Sequence, residues 1–202
     1  MNLDYSLFPK MESGYFIIPK PDERLREFSD LYDRFCSAIY MASKIGGESS
    51  KYMLSNKAHS SGYTRAALAE FAGIDEFIEK NFKQLTRETY IVYKQPNPLF
   101  HIMKMLRNYN VHIAESTLSE KEINVALPSK PEENFDVKIC YINNLSAYEL
   151  KQLKSAKNYS MAEIEKMIMH FENEQHRFGV SDLLVRGVIL YSNVISRLIT
   201  SR

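Results

Sequence analysis

The stretch Arg107-Asn108-Tyr109-Asn110-Val111-His112 holds the residue types best suited to chemistry in this chain. An unperturbed histidine titrates near neutral pH and can give or take a proton. An arginine presents a planar fork of N–H donors that matches a phosphate. Asn108 could orient the His112 ring or bond a phosphate oxygen. Asn108 and His112 are four apart and share a helix face. Arg107 and His112 are five apart, about 140° around an ideal helix, so they do not meet on one straight helix. This set needs no metal. No metal-binding set is spaced elsewhere either, because His170 and His176 are six apart rather than one turn apart. Cys36 and Cys140 lie far apart and read as two free, partly buried thiols in a reducing compartment. No cofactor is expected.

A helix over about 98–115 must position these residues. A wheel at roughly 100° per residue puts Leu99, Ile102, Leu106, Tyr109 and Ile113 on one stripe, the expected core face. His101, Lys104, Met105, Asn108 and His112 fall on the other side, with Arg107 on a flank. That second face mixes polar and apolar residues. It reads either as a plain solvated face or as one that meets another surface. His101 and Lys104 share it and are candidate substrate contacts.

Around this helix the pattern is mainly helical. Residues 1–20 read as an extended arm packed on the body, carrying Tyr15-Phe16-Ile17-Ile18. Pro21-Asp22-Glu23 starts a helix running to about 45, with Leu25, Phe28, Leu31, Tyr32, Phe35, Ile39 and Tyr40 at helical spacing. Residues 47–61 are polar and read as a loop or frayed helix, so that a second helix begins near Ser61 or Thr64 and covers 62–84. Two alternating runs, Glu122–Leu127 and Phe135–Tyr141, flank a proline-containing loop and predict a small antiparallel hairpin within 121–143. Such a hairpin must lie against the helices to be stable. Ser146 and Ser160 are expected helix caps, the second opening a helix over 160–176, and Gly179 separates that from a last helix over 180–200. The fold class is therefore mainly α, one domain over 1–202 with a hairpin insertion.

Composition excludes several functions. The 202 residues are 45% apolar and 25% charged, ordinary for a globular chain, and the net charge of +1 provides no broad basic field for coating a polyanion. Any nucleic-acid role must rest on a local patch. Lys151, Lys154 and Lys157 with Arg177 could form one, or simply a solvated face. No segment approaches the roughly 20 apolar residues of a membrane span. The start of the chain lacks the basic and apolar regions of a signal peptide. A cytoplasmic location is expected.

The Arg107-Asn108-Tyr109-Asn110-Val111-His112 run resembles the signature of HEPN domains: an arginine, a polar residue that is often asparagine, and a histidine a few positions on, in a late helix. The helices predicted near 23–45 and 62–84 resemble the earlier helices of the same up-and-down bundle. The likeness covers most of the chain in pattern and one short motif in residues. The hairpin at 121–143 departs from a plain bundle.

This resemblance implies a metal-independent endoribonuclease of toxin or antiviral-defence type. RNA carries its own nucleophile, the 2′-hydroxyl, so a proton carrier and a phosphate-neutralising group suffice. The family places two copies of the motif across a dimer interface, which would let the arginine of one copy serve the histidine of the other. A homodimer is expected, with His101, Met105, Asn108 and His112 at its interface, together with a possible antitoxin or defence-system partner. Two other readings stand beside it. One is a non-catalytic helical partner module with the same fold. The other is a helical DNA-binding regulator with 146–176 as its helix-turn-helix, although that region lacks a tight glycine turn and a clearly basic helix.

Overall fold

The computed structural model describes residues 2–47, 54–83, 85, 90–112, 117–127 and 130–200, and within these the side chains of all but 111, 112, 117, 127 and 131. It is mainly helical with one two-stranded antiparallel sheet. In chain order the elements are α1 (Ser29–Ser43), α2 (Asn56–Asn81), α3 (Pro98–His112), β1 (Thr117–Leu127), β2 (Lys130–Asn143), α4 (Ala147–Lys151) and α5 (Met161–Thr200).

The chain enters α1 through a 3-10 turn, Glu23–Glu27, in which Asp22 accepts from the Arg24 N–H as a cap. The backbone leaves helical geometry at Phe28, so the single helix expected from residue 22 is two pieces. Leu31, Phe35, Ala38, Ile39 and Ala42 are buried along α1, while Tyr40 points outward.

α2 starts at Asn56, several residues before the expected Ser61 or Thr64. The reason is polar satisfaction rather than hydrophobicity. Ser55 Oγ accepts from the Ala58 N–H at 3.1 Å, a helix cap. Ser60 Oγ accepts from the Gly46 N–H at 3.1 Å, and Thr64 Oγ1 donates to the Ser60 carbonyl at 2.8 Å. His59 is accordingly buried against the Tyr63 ring rather than solvated.

α3 opens on Asn97, whose Oδ1 accepts from the Leu99 N–H, with Pro98 in the first turn. It is walled by α2, α4 and α5. Its buried set is therefore wider than one stripe and includes Phe100, His101, Met103, Lys104 and Met105. Residues 113–115 and Ile113 of the expected stripe lie outside the described residues.

The hairpin pairs Ile123 with Val137 and Val125 with Phe135, and its register shifts at Ala126/Leu127. Its base is fixed by Gln175 of α5, fully buried. Gln175 Oε1 accepts from the Ile142 N–H at 2.8 Å and its Nε2 donates to the Ile142 carbonyl at 2.7 Å. One side chain thus supplies the pair of bonds a neighbouring strand would make.

Ser146 caps α4 as expected. Ser160 and Glu163 open α5 with a reciprocal pair of bonds, a capping box. The two helices expected at 160–176 and 180–200 are there, two segments of α5 that meet at a kink where Gly179 leaves helical geometry (φ 92°, ψ 162°). A Cβ there would lie 3.2 Å from both the Cys140 carbonyl oxygen and Ile139 Cβ. β2 therefore crosses α5 at the one residue that can adopt this backbone and leave it room. At Gly187 a Cβ would stand 2.5 Å from Met103 Sδ, so α3 and α5 pack backbone to side chain. α5 is long and apolar enough to cross a membrane, which the sequence reading did not anticipate, but more than half of its most apolar window is buried inside the protein.

The N-terminal arm runs along α5. Glu174 Oε2 accepts from the Met11 N–H at 2.6 Å and Asp182 Oδ2 accepts from the Tyr15 N–H at 2.9 Å. Arg177 and Arg186 donate to the Met11 and Ser13 carbonyls. Phe8 and Met11 are buried, whereas Phe16 and Ile17 stay exposed.

Candidate functional site

Three α3 residues that the wheel put on an open face lie inside the protein. His101 and Met105 are fully buried and Lys104 is 4% exposed. His101 Nε2 contacts the Gln95 carbonyl at 2.6 Å and Nδ1 contacts the Tyr159 hydroxyl at 2.5 Å. A carbonyl only accepts, so Nε2 carries the proton and Nδ1 accepts from Tyr159. Burial holds the imidazole below its ordinary value, despite the Gln95 bond. His101 is thus a neutral strut between the chain before α3 and the loop before α5. The reading of it as a substrate contact is corrected, because both ring nitrogens are engaged and the ring has no open side.

Lys104 goes the other way, into the seam with α2. Its Nζ donates to the Ala72 carbonyl at 3.3 Å, lies 4.6 Å from the Tyr90 ring centroid and stands 3.9 Å from Asp75 Oδ2. Asp75 is almost fully buried, and its Oδ1 accepts a short bond from the Tyr191 hydroxyl of α5. Burial pushes the Asp75 carboxyl up, partly offset by Tyr191 and by the Lys104 charge. Burial likewise pushes the Lys104 ammonium down. Lys104 therefore braces α2, α3 and α5 together and does not reach a substrate surface. The sequence held one signal for this group: Asp75 sits between Ile74 and Ile78 on the apolar stripe of α2, where an acid needs a partner.

Arg107 and Asn108 do come together at the surface. Arg107 Nη1 donates to Asn108 Oδ1 at 2.9 Å, and both residues are half-buried. Nη2 lies 3.6 Å from Glu76 Oε1 of α2. Arg107 Nε is buried and has no hydrogen-bond partner among the described residues. On the next position, Tyr109 donates to Glu149 Oε2 of α4 at 2.6 Å, and burial with this contact pushes its phenol up to about 12. Asn110 Nδ2 bonds back to the Leu106 carbonyl at 2.8 Å. His112 ends α3, and its side chain lies outside the described residues. α3 therefore carries the arginine–asparagine pair and the histidine on one rigid helix, five and four residues apart. Sequence reasoning missed Glu76 and Glu149, exposed or half-exposed acids on separate helices that only folding brings to α3.

The other candidates resolve into structural roles. Lys151 Nζ donates to the carbonyls of Ala156, Lys157 and Tyr159, closing the turn before α5, and Arg177 sits on the arm. Lys154 and Lys157 stay exposed beside that turn. His170 packs on Tyr5 and Phe8, His176 on Tyr141, and burial lowers both imidazoles. Among the described residues no three of His, Cys, Asp and Glu converge to hold a metal. Cys36 and Cys140 are free. A groove of about 610 Å³ lies between the arm, the hairpin and the α5 bend, lined by Phe16, Ile123, Val137, Cys140 and Asp182 and away from Arg107. Compared with known proteins, the chain matches no protein-family model, no curated protein and no solved structure.

Proposed function

We propose that the chain is a HEPN-type ribonuclease that cleaves single-stranded RNA without a metal, acting as a homodimer in the cytoplasm within a toxin–antitoxin or defence setting. The observation that carries this reading is the state of Arg107. It sits at the surface end of α3, one edge held by Asn108, with a buried Nε–H that no described residue accepts. Unsatisfied buried donors are uncommon, and a catalytic role is one of the reasons for which they persist. The guanidinium would neutralise the phosphoryl oxygens. A His112 ring would take the proton from the 2′-hydroxyl, and another would return one to the departing 5′-oxygen. The roughly 140° between Arg107 and His112 on one helix favours completing the site from two copies. Because His101 and Met105 are buried, the contact between copies is narrower than the sequence suggested and centres on Arg107, Asn108 and Asn110, which are half-exposed.

The alternative, a non-catalytic partner module, draws support from the Glu76 carboxylate already facing Arg107. A DNA-binding regulator has less in its favour, since α4 is five residues long and Lys151 is tied to its own turn. The test is a mixed single-stranded RNA incubated with purified protein and EDTA. Cleavage should persist in EDTA and be strongly reduced in Arg107→Lys, whose ammonium lacks the bidentate fork. EDTA-sensitive cleavage would defeat the mechanism.

A further inference from the structure

Arg107 shares the surface seam between α2 and α3 with an acid. Glu76 and Arg107 face each other at 3.6 Å, with side chains 52% and 30% exposed. The preceding residue, Asp75, turns inward to Lys104, which is three residues before Arg107 on α3. Two consecutive acids of α2 thus meet two cations of α3, one pair inside and one outside. The inner group, locked to Tyr191 of α5 as well, fixes how α2 lies against α3. It therefore also fixes where Glu76 stands. On the guanidinium, Nη1 is held by Asn108 and Nε is buried, so Nη2 is the corner left for an incoming oxyanion. Glu76 occupies the approach to that corner.

We propose that Glu76 is a gate on the Arg107 anion site: its carboxylate holds the place that a phosphate of bound RNA must take, and a polyanion displaces it more readily than a small anion does. The inference rests on the ribonuclease reading and names the residue that selects the ligand. An exposed ion pair of this kind is weak and readily exchanged. A phosphate can take a charge-assisted bond from Nη2 in place of the carboxylate, but it must first move a like charge aside. A strand brings several phosphates and further contacts to that competition, whereas a small anion brings one. The gate therefore favours a strand over free phosphate or a mononucleotide.

Glu76→Gln tests this, because it keeps the shape and removes the charge. Binding of a labelled single-stranded RNA is measured at low salt in a His112→Ala background, so that the RNA stays intact, and cleavage is measured with His112 present. Removal of the gate should lower Kd about two- to fivefold, the size expected for one exposed pair. The same gain should appear in KM. It should shrink at high salt and vanish when Arg107→Ala is combined with Glu76→Gln. Unchanged Kd and KM would overturn the gate. So would a loss of kcat without a change in KM, which would make Glu76 a participant in proton transfer. A gain that persists without Arg107 would also overturn it, as a general charge effect. Each of these outcomes leaves the ribonuclease reading standing. RNA neither bound nor cleaved by the natural protein would overturn both.

Discussion

The histidine that faces the interior and the one that ends α3 would have opposite uses. His101 is held neutral by burial, with Nε2–H on a carbonyl and Nδ1 accepting from Tyr159. Its folded-state value lies below the ordinary 6.5, so below pH 6.5 the unfolded chain binds the proton that the folded chain refuses. Stability should therefore be complete above about pH 6.5 and be lost as the pH falls from there toward the depressed folded value. Urea unfolding at pH 7.5 and 5 should show a lower midpoint at pH 5. His101→Asn, which cannot titrate, should show a smaller difference between the two, with His170 and His176 keeping part of it because they shift in the same direction. An undiminished difference in His101→Asn would remove His101 from this account. The motif Arg107-Asn108-…-His112 was readable in the sequence because it is contiguous. The burial of His101 and Lys104 was not, because a wheel sends polar residues outward. Their partners, Tyr159 and Asp75, come from distant parts of the chain.

Elements were legible where local chemistry fixes them. The Ser146 and Ser160 caps, the alternation of the hairpin and the proline start of α3 are all short-range signals. One boundary was misplaced for a reason outside the hydrophobic pattern. α2 begins early because Ser60 and Thr64 satisfy one another and Gly46, which no hydrophobic period reports. Gly179 does separate two helical segments, as expected, while the crossing of β2 at that point is a long-range contact that no local pattern reports. Gly179→Ala should therefore be costly. Its φ of 92° and ψ of 162° lie in a region kept for glycine, and a Cβ would press on Cys140 and Ile139. The expected loss is about 1–3 kcal/mol, read as a lower unfolding midpoint. Gly62, half-buried in α2 where a Cβ meets nothing within 4 Å, is the control: Gly62→Ala should be neutral or mildly stabilising. Equal effects at the two glycines would contradict the bend.

At the scale of the whole molecule, one core joins the helices, the base of the hairpin and the start of the arm. The net charge of +1 means that RNA recognition, if the proposal holds, is local to the end of α3. A single copy would place Arg107 and His112 apart on one helix, so two copies are expected in solution. Light scattering at micromolar concentration should give the mass of a dimer, and Asn110→Arg, which crowds the proposed contact with charge, should shift it toward the 23.5 kDa monomer. A monomer that still cleaves RNA would refute the shared site. The most direct test of the central claim is the chemistry of the RNA ends made in the presence of EDTA. The natural protein should leave 2′,3′-cyclic phosphate ends, because the ribose is the nucleophile, and His112→Ala should cut about 10²–10⁴-fold more slowly, the usual loss on removing a general acid–base group. Cleavage that stops with EDTA, or that proceeds at the same rate in His112→Ala, would contradict the account.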